Sequence, residues 1–180
     1  MTEVGSVYGQ AIYDLAKSED LTKEIFEQLQ VLCHSLTVEE PGFIKLLGAP
    51  TLTKQERCQI LDDSFRGKVH PYVLNFMKIL TEKGYMRHFA SCCDAYRECY
   101  YRDNDILLVH AVTAVPLAPE QLKKLTQKLS AVTGKKIELR SRIDPKILGG
   151  VRLDLDGKRL EDTVSHRLDA VRSLLKNTVL

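Results

Sequence analysis

Two aspartates one residue apart, Asp154 and Asp156, stand in the stretch VRLDLDGKRLEDT from Val151 to Thr163. An apolar strand running into Asp-x-Asp-Gly is how an aspartyl-phosphate phosphatase presents a nucleophile and an acid/base partner. That chemistry needs the first carboxylate exposed at a strand's carboxyl end and a hydroxyl after the glycine for phosphate. It also needs downstream lysine and acidic groups for charge and Mg²⁺. Here Lys158-Arg159 follows Gly157 where the hydroxyl would stand. The alternation of Val151, Leu153 and Leu155 inward against Arg152, Asp154 and Asp156 outward puts Asp154 on a side face. Asp-Gly between alternating segments is instead a strong signal for a two-residue hairpin loop. The stretch reads as a turn.

The remaining reactive residue types give no catalytic constellation. Gly149-Gly150 lacks the spacing of a phosphate-cradling loop, and two glycines ahead of a strand point to positive φ or close backbone packing. His34, His70, His88, His110 and His166 show no HExxH-type pairing and no cysteine at ligand spacing, so each is expected to be a cap or surface residue. Cys33, Cys58, Cys92, Cys93 and Cys99 form no CxxC pair, and an odd count argues against a disulfide framework. Cys92, Cys93 and Cys99 lie among Phe89, Tyr96 and Tyr100 at helical spacing, as small core residues reduced in a reducing compartment. Neither catalytic nor metal-binding nor cofactor-binding residues are expected.

The elements that position these residues change in kind along the chain. The first hundred residues read as six helices with short connections, a compact bundle. Val4, Val7, Tyr8, Ala11, Ile12, Leu15 and Ala16 give the first. Leu21, Ile25, Phe26, Leu29, Leu32, Cys33 and Leu36 give the second. Phe43, Ile44 and Leu47 mark a short third, ending before Gly48. Thr53 and Glu56 form a capping box for a fourth that stops near Gly67. Pro71 opens a fifth, with Val73, Leu74, Phe76, Met77, Ile79 and Leu80, closed by Gly84. Its apolar residues cover more than one face, so it is either central or bears an exposed groove. The sixth runs from about Arg87 to Asp103.

Beyond Asp103-Asn104-Asp105 the pattern becomes that of strands. ILLVHAVTAV is β-branched, Pro119 starts a helix on Leu122, Leu125, Leu129 and Val132, and in KIELRSRI Ile137, Leu139 and Ile143, facing inward, alternate with Glu138, Arg140 and Arg142 on a wet face. GVRLDL follows, then a last helix from Thr163 to about Thr178 with Val164, Leu168, Val171 and Leu175. The expectation is an α+β protein: residues 1–104 a six-helix bundle, residues 105–180 a small α/β domain with a mixed sheet and two helices.

Hydrophobic content of 44% and charged content of 28% are ordinary for a globular protein. The longest apolar runs fall far short of the roughly 20 residues needed to span a bilayer, and the N-terminus lacks the pattern of a secretory or transit peptide. The net charge of +2 hides an asymmetry: 12 Lys/Arg against 15 Asp/Glu in residues 1–103, and 14 against 9 thereafter. The two halves are expected to meet different partners or different faces of one. Lys123, Lys124, Lys128, Lys135, Lys136, Arg140, Arg142 and Arg152 could form a basic patch. Without stacking aromatics or a GXXG loop it points to a solvated face or an acidic protein partner rather than nucleic acid. An interaction protein is the leading class, a helical adaptor of some other complex or a basic RNA-binding protein being the alternatives.

IDPKILGGVRLDLDGKRLEDTVSHRL, Ile143 to Leu168, resembles the C-terminal signature of the delta subunit of F-type ATP synthases, whose mitochondrial counterpart is the oligomycin-sensitivity-conferring protein. Asp144-Pro145, Ile147-Leu148, Gly149-Gly150 and Gly157 fit that pattern. VYGQAIYDLA is similar to the family's opening helix, FMKILTEKGYMRHF to the end of its fifth helix, and VTAVPLAPEQLKKL to its domain change. Gly9 stands where the family usually has Ala, Tyr85 where Arg is common after Gly84, and Glu161-Asp162-Thr163 in place of Asp-Gly-Ser. The resemblance implies a non-catalytic stator that resists rotor torque, its bundle holding N-terminal helices of the alpha subunits and its C-terminal domain holding b-type peripheral-stalk subunits. It implies peripheral attachment at the cytoplasmic face of a bacterial plasma membrane. Carried over residue by residue, the alpha-subunit helix would meet Tyr8, Ala11, Ile12 and Leu15 with Val73, Leu74, Met77 and Leu80. Asp144, Pro145, Gly149, Gly150, Gly157, Thr163 and Leu168 would mark the stalk-binding or structural signature.

Overall fold

The computed structural model describes residues 2–49, 51–145, 147, 149–155 and 158–163, the last six by backbone alone. The chain divides into two compact units, Met1–Tyr100 and Tyr101–Leu180. Its class is mixed α+β, as expected.

The first unit is helical. Helix α1 (Glu3–Ser18) starts at Thr2, whose side chain accepts from the Gly5 amide. Helix α2 (Thr22–His34) runs on as a π-helical turn over Ser35–Glu39, which keeps Leu36 in the core. Helix α3 (Pro41–Leu47) is short. Helix α4 (Lys54–Phe65) has the expected box: the Glu56 amide donates to Thr53 Oγ1 at 3.2 Å and the Thr53 amide to Glu56 Oε2 at 2.8 Å. Helix α5 (Pro71–Glu82) has Pro71 in its first turn, and His70 caps it by accepting from the Tyr72 amide at 3.2 Å. A 3₁₀ turn over Met86–His88 leads into α6 (Phe89–Asp103).

Helix α5 lies at the centre, with Val73, Leu74, Phe76, Met77, Leu80 and Thr81 all buried. Around it gather Ile12 and Ala16 of α1, Ile25 and Leu29 of α2, Leu61 of α4 and Phe89 and Tyr96 of α6. Helices α4 and α5 are joined by an ion pair, Lys78 Nζ to Asp62 Oδ2 at 2.7 Å, with Arg66 also on Asp62.

The second unit builds a mixed sheet of order β2-β1-β3-β4. Strand β1 (Ile106–Thr113) pairs in parallel with β2 (Lys136–Ile143) through a crossover on α7 (Pro119–Thr133). A parallel neighbour demands such a crossover, because no tight turn can join parallel strands. Strand β3 (Gly150–Leu155) is antiparallel to β1, and β4 (Lys158–Thr163) is antiparallel to β3.

Three expectations are corrected. Asp162 and Thr163 do not begin a helix: they pair with Val151 and Gly150 at the end of β4. A two-residue connection fixes Leu155 opposite Lys158, and the ladder then runs on until β3 is exhausted. The residues Val151 to Leu155 are all half-buried rather than alternately buried and exposed, because β3 has a paired neighbour on either side. Ile143, expected to face inward, is 51% exposed at the strand's end. The expected last helix, with Leu168, lies outside the described residues, as do Asp156 and Gly157.

Candidate interaction surface

Catalysis can be tested first. Asp154 lies inside β3, opposite His110 of β1, with Arg152 Nε 3.6 Å from its Oδ2. It is held in the ladder between His110 of β1 and Arg159 of β4, next to an arginine that neutralises its charge. A cavity of about 280 Å³ lies in the helical unit, lined by Lys54, Gln55, Cys58, Glu82 and Lys83. The Cys58 thiol donates to Glu82 at 3.8 Å, and burial together with the Glu82 charge pushes its pKa up. A nucleophilic cysteine needs the opposite shift. Among the described residues no group of three or more His, Cys, Asp or Glu side chains is placed to hold a metal ion.

What the helical unit offers is a surface. Of the eight residues expected to meet a partner helix, Ile12, Val73, Leu74, Met77 and Leu80 are buried in the core. They support the surface from beneath. Tyr8 is half-buried, Ala11 is exposed, and Leu15 is 42% exposed. With Val7, 61% exposed, they form a stripe at spacing four along α1. On α5 the exposed large apolar residue is Ile79.

The placement of that stripe follows from two glycines. A Cβ at Gly9 would lie 2.4 Å from the Cys92 carbonyl oxygen and 2.6 Å from Ala95 Cβ, and one at Gly5 would lie 2.5 Å from Ser91 Cβ. Helix α1 is therefore pressed against α6 along its Gly5–Gly9 face. Val7 and Ala11 stand two residues on from each glycine, about 200° around the helix, and so turn away from α6. The Tyr8 ring meets Tyr85 edge-on at 5.8 Å, so this aromatic contact occupies the place where Arg is common in the family.

Val7 and Ile79 were not singled out from the sequence. Ile79 belongs to a helix whose apolar residues exceed one face, the signal that could have found it; Val7 lies on the single apolar face read for α1, where spacing alone does not separate edge from centre.

In the second unit, Asp144 follows β2 and its amide donates to the Thr113 carbonyl at 2.9 Å, while the Ile147 amide returns to the Asp144 carbonyl at 3.1 Å. Pro145 is exposed in this turn and Ile147 is buried. Gly150 opens β3 at φ 88°, a value that favours glycine. The Asp-Pro and Gly-Gly positions thus shape one connection, from β2 across to β3. Of the basic residues, Arg140 is committed to Glu138 through Nε at 3.1 Å and Nη2 at 2.9 Å, and Tyr101 donates to the same carboxylate.

The comparisons agree on one family. Residues 4–175 match the profile of the ATP synthase delta (OSCP) subunit. The ATP synthase subunit delta of Alkaliphilus oremlandii is 32% identical over 98% of this chain and 98% of its own length. That of Fusobacterium nucleatum is 33% identical over 93% and 95%. A chain in the cryo-EM structure of the Toxoplasma gondii mitochondrial ATP synthase hexamer superposes with a TM-score of 0.74, covering 97% of this chain and 98% of that one, at 21% identity, which establishes a shared fold. No helix among the described residues is long and apolar enough to cross a membrane. The chain belongs to the ATP synthase delta (OSCP) family, non-catalytic stator components of the peripheral stalk of F-type ATP synthases.

Proposed function

We propose that α1 to α6 form a six-helix bundle that grips an N-terminal helix of the alpha subunits through Val7, Tyr8, Ala11 and Leu15, with Ile79 on the opposite wall of the groove. The observation that carries this reading is the Val7–Ala11–Leu15 stripe. Apolar residues at that spacing, left uncovered on a helix pinned from behind, match what an amphipathic partner helix requires. Residues 1–104 serve the catalytic head and residues 105–180 the b-type stalk, the Asp144–Gly150 connection and Gly157 shaping the second surface. The link holds the head still while the rotor turns, so torque reaches the nucleotide sites. Since the two sequence relatives named above are bacterial, the working site is the cytoplasmic face of the plasma membrane, reached through partners.

Titration of the full-length protein with a peptide of the alpha-subunit N-terminus tests this. Leu15→Asp places a charge in the groove at a cost of about 2 kcal/mol, hence about 30-fold in Kd. Leu15 is exposed in the free protein, so the unfolding temperature stays within a few degrees of wild type. Unchanged affinity in both Val7→Asp and Leu15→Asp would remove the α1 stripe from the interface.

A further inference from the structure

We propose that Tyr8 and Tyr85 form an aromatic anchor site at one end of the α1–α5 groove, on which the partner helix seats a large apolar side chain about seven residues from the one that meets Leu15. This rests on the proposed grip on an alpha-subunit helix and states what that helix must carry. The two rings meet edge-on, their centroids 5.8 Å apart and their planes at 65°. Both are half-buried and pack against the core of the helical unit, so each keeps part of its ring open to solvent. The Tyr85 ring is in turn 6.3 Å from the His88 ring. Rings held on one side and open on the other are the kind of surface that a partner's buried anchor fills.

The backbone fixes where Tyr85 stands. Lys83 caps α5 and Gly84 follows at φ 73°. The Gly84 amide donates to the Thr81 carbonyl at 3.1 Å and the Tyr85 amide to the Leu80 carbonyl at 2.7 Å. Paired bonds of this kind close a helix end at a left-handed glycine and turn the chain back across it. Tyr85 is thereby delivered to Tyr8 of α1. The ring contact links the α1 wall of the groove to the end of α5, the helix that carries exposed Ile79.

Tyr8 and Leu15 are seven residues apart on α1. That is two turns less about 20°, and about 10 Å along the axis, so the two side chains lie on one line. Ala11 between them is exposed and small, which leaves room for a partner backbone. A helix laid along α1 that seats a side chain beside Leu15 therefore brings its residue seven positions away to the rings. Both residues fall on one face of that helix, and an amphipathic helix is apolar along that face. Arginine at position 85, common in the family, would call for a carboxylate. Tyrosine puts an uncharged ring there instead, and Arg87 nearby has its Nε committed to His88 Nε2 at 3.0 Å. The occupant of the site is accordingly an aromatic or large aliphatic side chain.

The test titrates the full-length protein, wild type and variants, with a peptide of the alpha-subunit N-terminus. Tyr85→Phe keeps the ring and should bind within about twofold of wild type. Tyr85→Ala should lose about tenfold or more, and Tyr85→Arg a similar amount. The wild-type Kd should change little between low and high salt. A photoreactive benzoylphenylalanine in place of Tyr85, and in a second protein in place of Leu15, locates the peptide without relying on affinity. The two cross-links should fall about seven residues apart on the peptide. The probe keeps an aromatic ring, so this readout survives if Tyr85→Ala loosens the turn. Leu15→Asp weakening the peptide while Tyr85→Ala binds like wild type, or cross-linking from position 15 without any from position 85, would overturn the anchor and leave the α1 grip standing. Affinity that drops steeply with salt and is lost in Arg87→Gln would mean that a carboxylate docks there, and would overturn the apolar occupant. A wild-type protein that does not bind the peptide would remove the grip and the anchor together.

Discussion

Gly9 shows how a single atom sets the position of a surface. Its family counterpart is usually alanine, yet here a Cβ would fall 2.4 Å from a backbone carbonyl oxygen of α6 and 2.6 Å from Ala95 Cβ. Backbone cannot swing aside like a flexible side-chain end, so Gly9→Ala should push α1 off α6 at a cost of about 1–3 kcal/mol. Gly42 in α3 is the control, since a Cβ there meets nothing within 4 Å. Gly42→Ala should gain a few tenths of a kcal/mol by restricting the unfolded chain. Urea midpoints of the two variants read both effects, and a Gly9→Ala protein as stable as wild type would show that the helices are not held this closely. Asp154 makes the opposite point. Its carboxylate sits within the β3 ladder beside Arg152, 3.6 Å away. Asp154→Asn should therefore leave ATP synthesis by the assembled enzyme unchanged, where a nucleophile would lose it entirely.

Helices α4 and α5 are tied by a charge as well as by packing. Lys78 is the main cause holding the Asp62 carboxyl below the usual range, and Arg66 adds to it. A carboxylate whose folded pKa is depressed stabilises the fold above its unfolded pKa, about 3.9, and loses that contribution as pH falls through the folded value. The difference in unfolding temperature between wild type and Asp62→Asn should thus be full at pH 6 and close below about pH 4; a gap constant with pH would mean the ion pair contributes nothing. The caps and boundaries of these helices were legible beforehand because they are local: Thr53 with Glu56, Pro71, and the glycines after α4 and α5 act within a turn of themselves. Two features were not. The π turn over Ser35–Glu39 follows a stretch whose apolar spacing, through Leu36, reads as unbroken helix. The run of β4 through Thr163 comes from pairing with β3, whereas Asp162-Thr163 taken alone reads as a helix cap. Local chemistry is written residue by residue, but a pairing partner is not.

The chain as a whole has to transmit torque without performing a reaction, and that explains which part of its site could be read in advance. The family resemblance pointed to α1 and α5, but periodicity put Ile12, Val73, Leu74, Met77 and Leu80 in the same group as Tyr8, Ala11 and Leu15. The two classes are apolar alike, and only the packing of α1 on α6 separates the buried from the exposed. A stator also makes a demand that distinguishes it from an ordinary adaptor. The head hydrolyses ATP whether or not it is held, whereas synthesis requires that it not rotate with the rotor. Weakening the α1 stripe should therefore separate the two activities. In membranes carrying the assembled enzyme, Val7→Asp with Leu15→Asp should leave the rate of ATP hydrolysis near wild type while proton-driven synthesis falls. Two such charges cost about 4 kcal/mol if they act independently, roughly a thousandfold in affinity for the head, so synthesis should be the activity that fails. Hydrolysis and synthesis falling in parallel would instead mean the stripe acts on assembly or catalysis of the head itself. Both remaining at wild-type levels would place the grip on the head elsewhere on the helical unit.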